Sequence, residues 1–201
     1  MCGKNRFVRK EELIIGRASR EDNLGQCPVV VWFTGLSGAG KTTLANALEL
    51  KLRNRGVHTY LLDGDNVRLG LCKDLGFSNR DRKENIRRIA EVSRLFFDSA
   101  TVTLCSFVSP FEDDRAFARG LFPKGSFFEV YMKSTVKECE RKDTKGLYKM
   151  ARKGLLTDFT GVSSPYEEPQ NPELVIDSNM LTVSESVDVL YSMIIEKIKK
   201  E

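Results

Sequence analysis

Apolar residues fall along this chain in two alternating rhythms. Val29-Val-Val-Trp-Phe-Thr34 is a continuous apolar run with β-branched members, as expected of a strand buried on both faces. Beyond Thr42 the spacing changes. Leu44, Leu48 and Leu52 recur at i, i+4 and i+8, which predicts a helix over residues 42–55 that Gly56 stops. The alternation then repeats, with strands predicted at 59–62, 101–108, 127–132 and 174–176. Between them lie a long helix over about 81–99, a helix over 111–121 and another starting at Ser134. Ser78 or Asn79 can cap the long helix, whose face carries Ile86, Ile89, Ser93 and Phe96 or Phe97. Thr182-Val-Ser-Glu185 is a capping box opening a last helix with Val187, Leu190, Ile194 and Ile198 as its buried stripe.

Strands alternating with helices predict an α/β domain, a parallel sheet with helices on both faces. Two stretches break the rhythm. Residues 1–26 are polar apart from Leu13-Ile14-Ile15 and read as an arm packing on the body or on a partner subunit. The remainder, 27–201, reads as the domain itself, with a Lys-, Gly- and Pro-rich excursion that predicts a lid at about 142–165.

Composition narrows the chemistry. No apolar run approaches the ~20 residues that span a bilayer, and no apolar stretch follows the start as a secretory signal requires. The five cysteines are scattered, with no Cys-x-x-Cys. That excludes a disulfide scaffold and a cysteine zinc cluster and favours a reducing compartment, the cytoplasm or an organelle. A single histidine, His58, reads as a solvated loop residue at the foot of a strand, so acid–base work falls to carboxylates. The net charge of +4 suits a small polyanionic ligand better than a nucleic-acid backbone.

The first strand runs into Gly35-Leu-Ser-Gly-Ala-Gly-Lys41-Thr42, which satisfies G-x-x-x-x-G-K-[ST] between a predicted strand and a predicted helix. Such a loop curls so that backbone N–H groups and the helix dipole face phosphate oxygens. Gly35, Ser37, Gly38, Ala39, Gly40, Lys41, Thr42 and Thr43 are therefore the nucleotide-binding set. Lys41 supplies a cation for the β- and γ-phosphates and the Thr42 hydroxyl a ligand for Mg²⁺. No Asn-Lys-x-Asp guanine reader is present, and the third strand ends in Ser109-Pro110 rather than an acidic residue, which argues against a GTPase and an ATPase motor. The carboxylates follow the second strand instead, as Asp63 and Asp65. One can organise Mg²⁺, with Asp63 beside Thr42 the metal candidate, and the other can take a proton from a substrate hydroxyl. The blander possibility is an acidic turn capping a short helix. The arrangement predicts a small-molecule kinase.

Seven cations lie between Arg68 and Arg88, and Arg82 falls in a predicted first helical turn, where the dipole disfavours it. Arg68 and Arg82 are therefore candidates for a phosphate or sulfate, while Arg80, Lys83 and Arg88 read as a solvated helix face. Phe77 and Phe159 stand in polar segments; they could sandwich a base, although core packing is the commoner role for each.

These blocks together resemble the adenylyl-sulfate kinase (APS kinase) family. The matching stretches are Gly35 to Thr43, Leu62-Asp-Gly-Asp-Asn-Val-Arg68, Lys73-Asp-Leu-Gly-Phe-Ser78, Asp81-Arg-Lys-Glu-Asn-Ile-Arg-Arg88, Ser106-Phe-Val-Ser-Pro110, Lys145-Gly-Leu-Tyr-Lys149 and Phe159-Thr-Gly161. The resemblance implies a P-loop fold and Mg²⁺-dependent transfer of the γ-phosphate of ATP to the ribose 3′-hydroxyl of adenosine 5′-phosphosulfate (APS). It also implies a typically dimeric protein, so a homodimer is expected, with no nucleic-acid or membrane partner. Carried over residue by residue, it implies APS contacts at Asp65, Asn66, Arg68, Phe77, Arg82, Asn85, Val108, Ser109, Lys145 and Phe159, with Arg141 and Leu181 against the adenine of ATP. Asp158, in the same lid stretch, stands where the family has glycine or asparagine; Leu69 and Cys72 depart from its histidine and asparagine. Ser109 matches a serine that the family associates with a phosphoserine intermediate, but the sequence offers it no base except Asp63 or Asp65. Direct in-line transfer is the expectation, with lysine, the two aspartates and Ser109 as the catalytic set.

Overall fold

The structure, a computed structural model, describes residues 8–9 and 11–200. Its centre is a five-stranded parallel sheet made of β1 (Val30–Thr34), β2 (Thr59–Asp63), β3 (Val102–Ser106), β4 (Phe127–Lys133) and β5 (Leu174–Asp177), in the order β2-β3-β1-β4-β5. The register aligns Val31 with Leu104 on one side and with Phe128 on the other. Every residue of β1 is buried. Val31 and Phe33 enter the core layer under α2 (Lys41–Arg53) and α8 (Val183–Ile198). Val30 and Trp32 enter the opposite layer, under α4 (Asn79–Asp98) and α5 (Glu112–Gly120). A strand buried on both faces has no polar side to alternate with, hence the unbroken apolar run.

The helical stripes close these layers. Val187, Leu190, Ile194 and Ile198 of α8 are all buried, behind a complete Thr182–Glu185 capping box. In α4, Ser78 is the cap and Ile86, Ile89, Ser93 and Phe97 face inward, whereas Phe96 stacks on Tyr60 at 4.6 Å. The helix expected from Ser134 is α6 (Val136–Arg141), capped one residue later by Thr135.

Three helices lie outside the predicted rhythm. α1 (Arg17–Leu24) sits in the arm and buries no residue. It is tethered by Arg20 to the carbonyl of Asp98 (2.9 Å) and by the Arg17 guanidinium 5.0 Å from the Phe97 ring. Ahead of it Leu13, Ile14 and Ile15 are exposed, so the arm's apolar triplet does not pack on the body. α3 (Gly64–Arg68) is a single turn after β2, and α7 (Leu147–Arg152) lies in the excursion read as a lid. The third strand stops at Ser106, two residues short of expectation, because the chain turns there; Ser109 takes a φ of +37°.

Candidate active site

The carboxyl ends of the strands converge on one crevice, where open α/β sheets bind ligands. After β1 the backbone curls. Gly35, at φ +144°, passes so close to β4 that a Cβ there would stand 2.7 Å from the carbonyl oxygen of Met132. Gly40, at φ +92°, opens α2 without any side-chain cap. The first-turn N–H groups of α2 are thus left without a capping side chain, at the positive end of its dipole. Lys41 is buried and folds back to donate to the carbonyls of Gly35 (2.9 Å) and Leu36 (2.7 Å). Burial pushes its pKa down to about 8, against the opposing pull of Asp63 and Asp65.

Asp63 is the helix cap of the blander possibility, and its second oxygen faces the phosphate loop. Its Oδ1 caps α3 by accepting from the N–H groups of Asp65 (3.0 Å) and Asn66 (3.3 Å). Its Oδ2 accepts from the Thr42 hydroxyl (2.8 Å), which also lies 3.0 Å from Ser106 Oγ. Ser106 is a member of this cluster to which the sequence assigned no role, although it opens a stretch that resembles the family.

A cavity of about 740 Å³ extends from this loop, walled by Ser37 to Leu44, Asp63, Asp65, Lys142, Lys145 and the apolar group Ile176, Leu181 and Val183. A second cavity, of about 680 Å³, lies beyond it against Arg68, Phe77, Arg82, Asn85, Ser109, Asp158 and Phe159. The two share Ser37, Gly64, Asp65, Phe107, Val108, Lys145 and Leu147 as a common wall. Across that wall Lys145 is ion-paired to Asp65.

The second cavity is electropositive and under-satisfied. Arg68 and Arg82 stand over Phe77, their guanidinium carbons 4.4 and 5.7 Å from the ring centre. Among the described residues neither forms a salt bridge, although Asp81 and Asp65 act on Arg68, and Asp158 on Arg82, at longer range. Arg68 donates to the carbonyls of Leu75 and Gly76, and Arg82 to those of Phe77 and Asp158. Burial lowers the pKa of both, and Arg68 lowers that of Arg82 further. Asn85, only 4% exposed, leaves its side-chain Nδ2 with no partner among the described residues. Two guanidinium groups without a direct ion pair among the described residues, and a donor left over, are what an anionic ligand would complete.

These features match one family. The Adenylylsulphate kinase family model covers residues 27–177. The chain belongs to the adenylyl-sulfate kinase family. It is 53% identical over 183 residues to an adenylyl-sulfate kinase of Marinobacter nauticus, covering 91% of this chain and 92% of that one. A probable adenylyl-sulfate kinase of Halalkalibacterium halodurans is 55% identical over 185 residues, 92% of this chain and 88% of its own. Among solved structures, the Mycobacterium tuberculosis APS kinase in complex with AMPPNP and APS superposes with a TM-score of 0.80 at 42% identity, covering 84% of this chain and 98% of that one. The protein is therefore a nucleotide-using kinase on a P-loop fold.

Most residues singled out in the sequence line one cavity or both. Gly35, Asn66 and Arg141 do not; Arg141 is exposed, and its neighbour Lys142 lines the first cavity instead. Phe77 is 57% exposed, which overturns core packing as its role, whereas Phe159 both lines the second cavity and packs edge-on against the buried Tyr148. Arg88 lies on the partly exposed helix face expected of it, but it is engaged there. It pairs with Asp74 (2.6 Å) and Glu84 (2.9 Å) and donates to the Leu71 carbonyl, stapling the loop before α4. Cys72 is fully buried in the second core layer, so this departure from the family lies outside both cavities. Leu69 lines neither. His58 is exposed at the opposite end of the sheet from the crevice.

Two expected results follow from these placements. Lys41 loses its proton near pH 8 in the empty protein, but a triphosphate requires the cation. Nucleotide binding at pH 9 should therefore take up close to one proton, falling towards zero at pH 6; titration calorimetry in buffers of different ionisation enthalpy measures it. No uptake at pH 9 would remove Lys41 from the phosphate site. Arg68→Ala takes away one of these two guanidinium groups. It should raise KM for the anionic acceptor at least about 10-fold, the size of a lost charge-assisted bond, with KM for ATP unchanged.

Proposed function

We propose that the cavity against Lys41 receives ATP and the cavity against Phe77 receives APS, so that the γ-phosphate passes to the ribose 3′-hydroxyl across the common wall, giving 3′-phosphoadenylyl sulfate and ADP. The reaction is that of the adenylyl-sulfate kinase family. The observation that carries the assignment of sites is the meeting of two nucleotide-sized cavities at Asp65 and Lys145. Phosphoryl transfer asks mainly for positioning and charge stabilisation, which this wall supplies. Lys41 holds the β- and γ-phosphates, Asp65 takes the hydroxyl proton, and Arg68 and Arg82 hold the sulfate–phosphate end of the acceptor. Phe77 and Phe159 flank its base.

Mg²⁺ belongs to this reading. Thr42 Oγ1, Asp63 Oδ2 and Ser106 Oγ form a compact all-oxygen set of the kind that hard cation prefers. Among the described residues no group of three or more His, Cys, Asp or Glu is placed to hold a metal, which fits an ion bound by one carboxylate and completed by substrate phosphates. Bound there, it would neutralise phosphate charge. Residues 142–165, including α7, act as a lid that excludes water from the reacting phosphate. A second copy of the chain would cover the exposed Leu13-Ile14-Ile15 triplet in a homodimer. A cytoplasmic setting accords with the free cysteines Cys27, Cys72, Cys105 and Cys139.

Ser109 supports direct transfer. Its Oγ accepts from the Trp32 indole N–H (3.1 Å), and among the described residues no carboxylate or imidazole hydrogen-bonds to it. A serine nucleophile needs such a base. Incubation with γ-³²P-labelled ATP alone should therefore leave no labelled enzyme able to pass its phosphate to APS.

A coupled ADP-release assay offering APS, adenosine 5′-phosphate, gluconate and shikimate tests the assignment. Release is expected with APS alone. Equal or faster turnover of either hydroxy acid or of the unsulfated nucleotide would refute it, and nucleotide binding without turnover of any acceptor would point to a sensor.

A further inference from the structure

Behind the acceptor cavity lies a buried polar cluster with no part in the transfer as described. Arg115, on α5, is 2% exposed and uses all three guanidinium nitrogens. Nε donates to Glu129 Oε1, Nη1 to the carbonyl of Ser109 and Nη2 to the carbonyl of Glu167, each at 2.8 Å. Glu129, on β4, is held on its other oxygen by Arg119 (3.2 Å), which is itself clamped by Glu173.

The two carbonyls that Arg115 grips belong to different parts of the crevice. Ser109 lines the acceptor cavity in a left-handed conformation that side chains other than glycine rarely take. Such a turn persists only where its surroundings over-determine it. Here Arg115 holds its carbonyl, Trp32 holds its hydroxyl, and Thr34 Oγ1 donates to the preceding carbonyl, that of Val108 (2.8 Å). Glu167 lies just past the lid, on its return towards β5. Its N–H donates to Pro110 (2.9 Å) and its carboxylate accepts from the N–H of Glu112 (2.7 Å). Arg115 therefore fastens the wall of the acceptor cavity to the root of the lid.

We propose that Arg115, oriented by Glu129, is a positioning residue for the phosphate acceptor: it fixes the Ser109–Pro110 wall and the lid root in one geometry. This rests on the assignment of that cavity to the acceptor. A planar fork is required, because an ammonium group has no rigid arrangement that serves Glu129, Ser109 and Glu167 at once. A buried ion pair is by itself weak support for stability, so a selective kinetic effect is the informative consequence.

Arg115→Lys keeps the buried cation beside Glu129 and loses the fork. It should lower kcat/KM for APS about 10- to 100-fold and leave KM for ATP and the affinity for an unreactive ATP analogue within about twofold. Glu129→Gln keeps an acceptor for Nε and should show a smaller loss of the same one-sided kind. Wild-type enzyme in the same assay separates the two claims: no APS-dependent ADP release there defeats the site assignment, whereas normal release with unselective variants defeats this proposal alone. Equal proportional losses on the ATP and APS sides, unchanged kinetics in Arg115→Lys, or failure of both variants to fold would each make the cluster scaffolding and overturn it.

Discussion

Replacing Lys41 by methionine is expected to reduce kcat by about 10²- to 10³-fold or more, the range found when one pre-aimed charge donor is lost from a transition state. The same variant should fold at least as well as the wild type when no nucleotide is present. The sign follows from its titration. The folded pKa of about 8 lies below the ordinary value of 10.5, so the folded chain binds fewer protons than the unfolded one between those limits. Below pH 8 both states carry the charge and the burial penalty is present in full, roughly 3 kcal/mol for such a shift; it fades as pH rises towards 10.5. Methionine keeps the packing and removes the penalty. Thermal melts at pH 7 without nucleotide should show an equal or higher Tm beside near-complete loss of ADP release. A lower Tm with residual activity above a tenth of wild type would mean that Lys41 is a structural cation.

Asp65→Asn is the second large effect. Asp65 is exposed at the wall between the cavities and makes no cap, in contrast to Asp63, so the change isolates proton acceptance from folding. General-base assistance is typically worth 10²- to 10⁴-fold, and kcat should fall by about that factor with KM for ATP little altered. The ion pair to Lys145 is solvent-exposed on both sides and contributes little stability, so chemical denaturation should shift by no more than about 0.5 kcal/mol. Retention of kcat within about threefold would assign the proton elsewhere.

The sheet and its main helices were legible in the sequence because each depends on local periodicity. β1 shows as an unbroken apolar run, and α8 carries both a capping box and an evenly spaced stripe. The three unpredicted helices lack those marks. α1 buries no residue, so no periodicity betrays it. α7 is six residues long, and its cap is displaced: Asp143 accepts from the N–H groups of Leu147, Tyr148 and Lys149 across the left-handed Gly146. α3 is one turn, visible only through Asp63.

The site divides in the same way. The phosphate loop is a contiguous motif and could be read outright. The second cavity draws on the loop before α4, on α4, on the turn after β3 and on residues 155–160, which no spacing rule connects. There the residues by themselves offered two candidate cations, Arg68 and Arg82, and two aromatics in polar surroundings; the rest came from the family resemblance. The sequence reading placed Arg88 on the exposed helix face but missed its partner Asp74, which sits in a preceding loop whose path the helix pattern does not reveal. The Arg115 cluster left no sequence signal, since an arginine on an amphipathic helix reads as solvent-facing by default.

The partition built by Asp65, Lys145 and their neighbours belongs to both chambers at once, and this has a pharmacological corollary. A compound shaped for one chamber leaves half of that partition unsatisfied. With ATP and APS in the two chambers as proposed, a single molecule with two adenosine ends on an oligophosphate tether would thread it instead, gaining the advantage of intramolecular engagement at its second end. Tether length would then be the variable that ranks inhibitors, with a sharp optimum where the chain of phosphates just spans the gate.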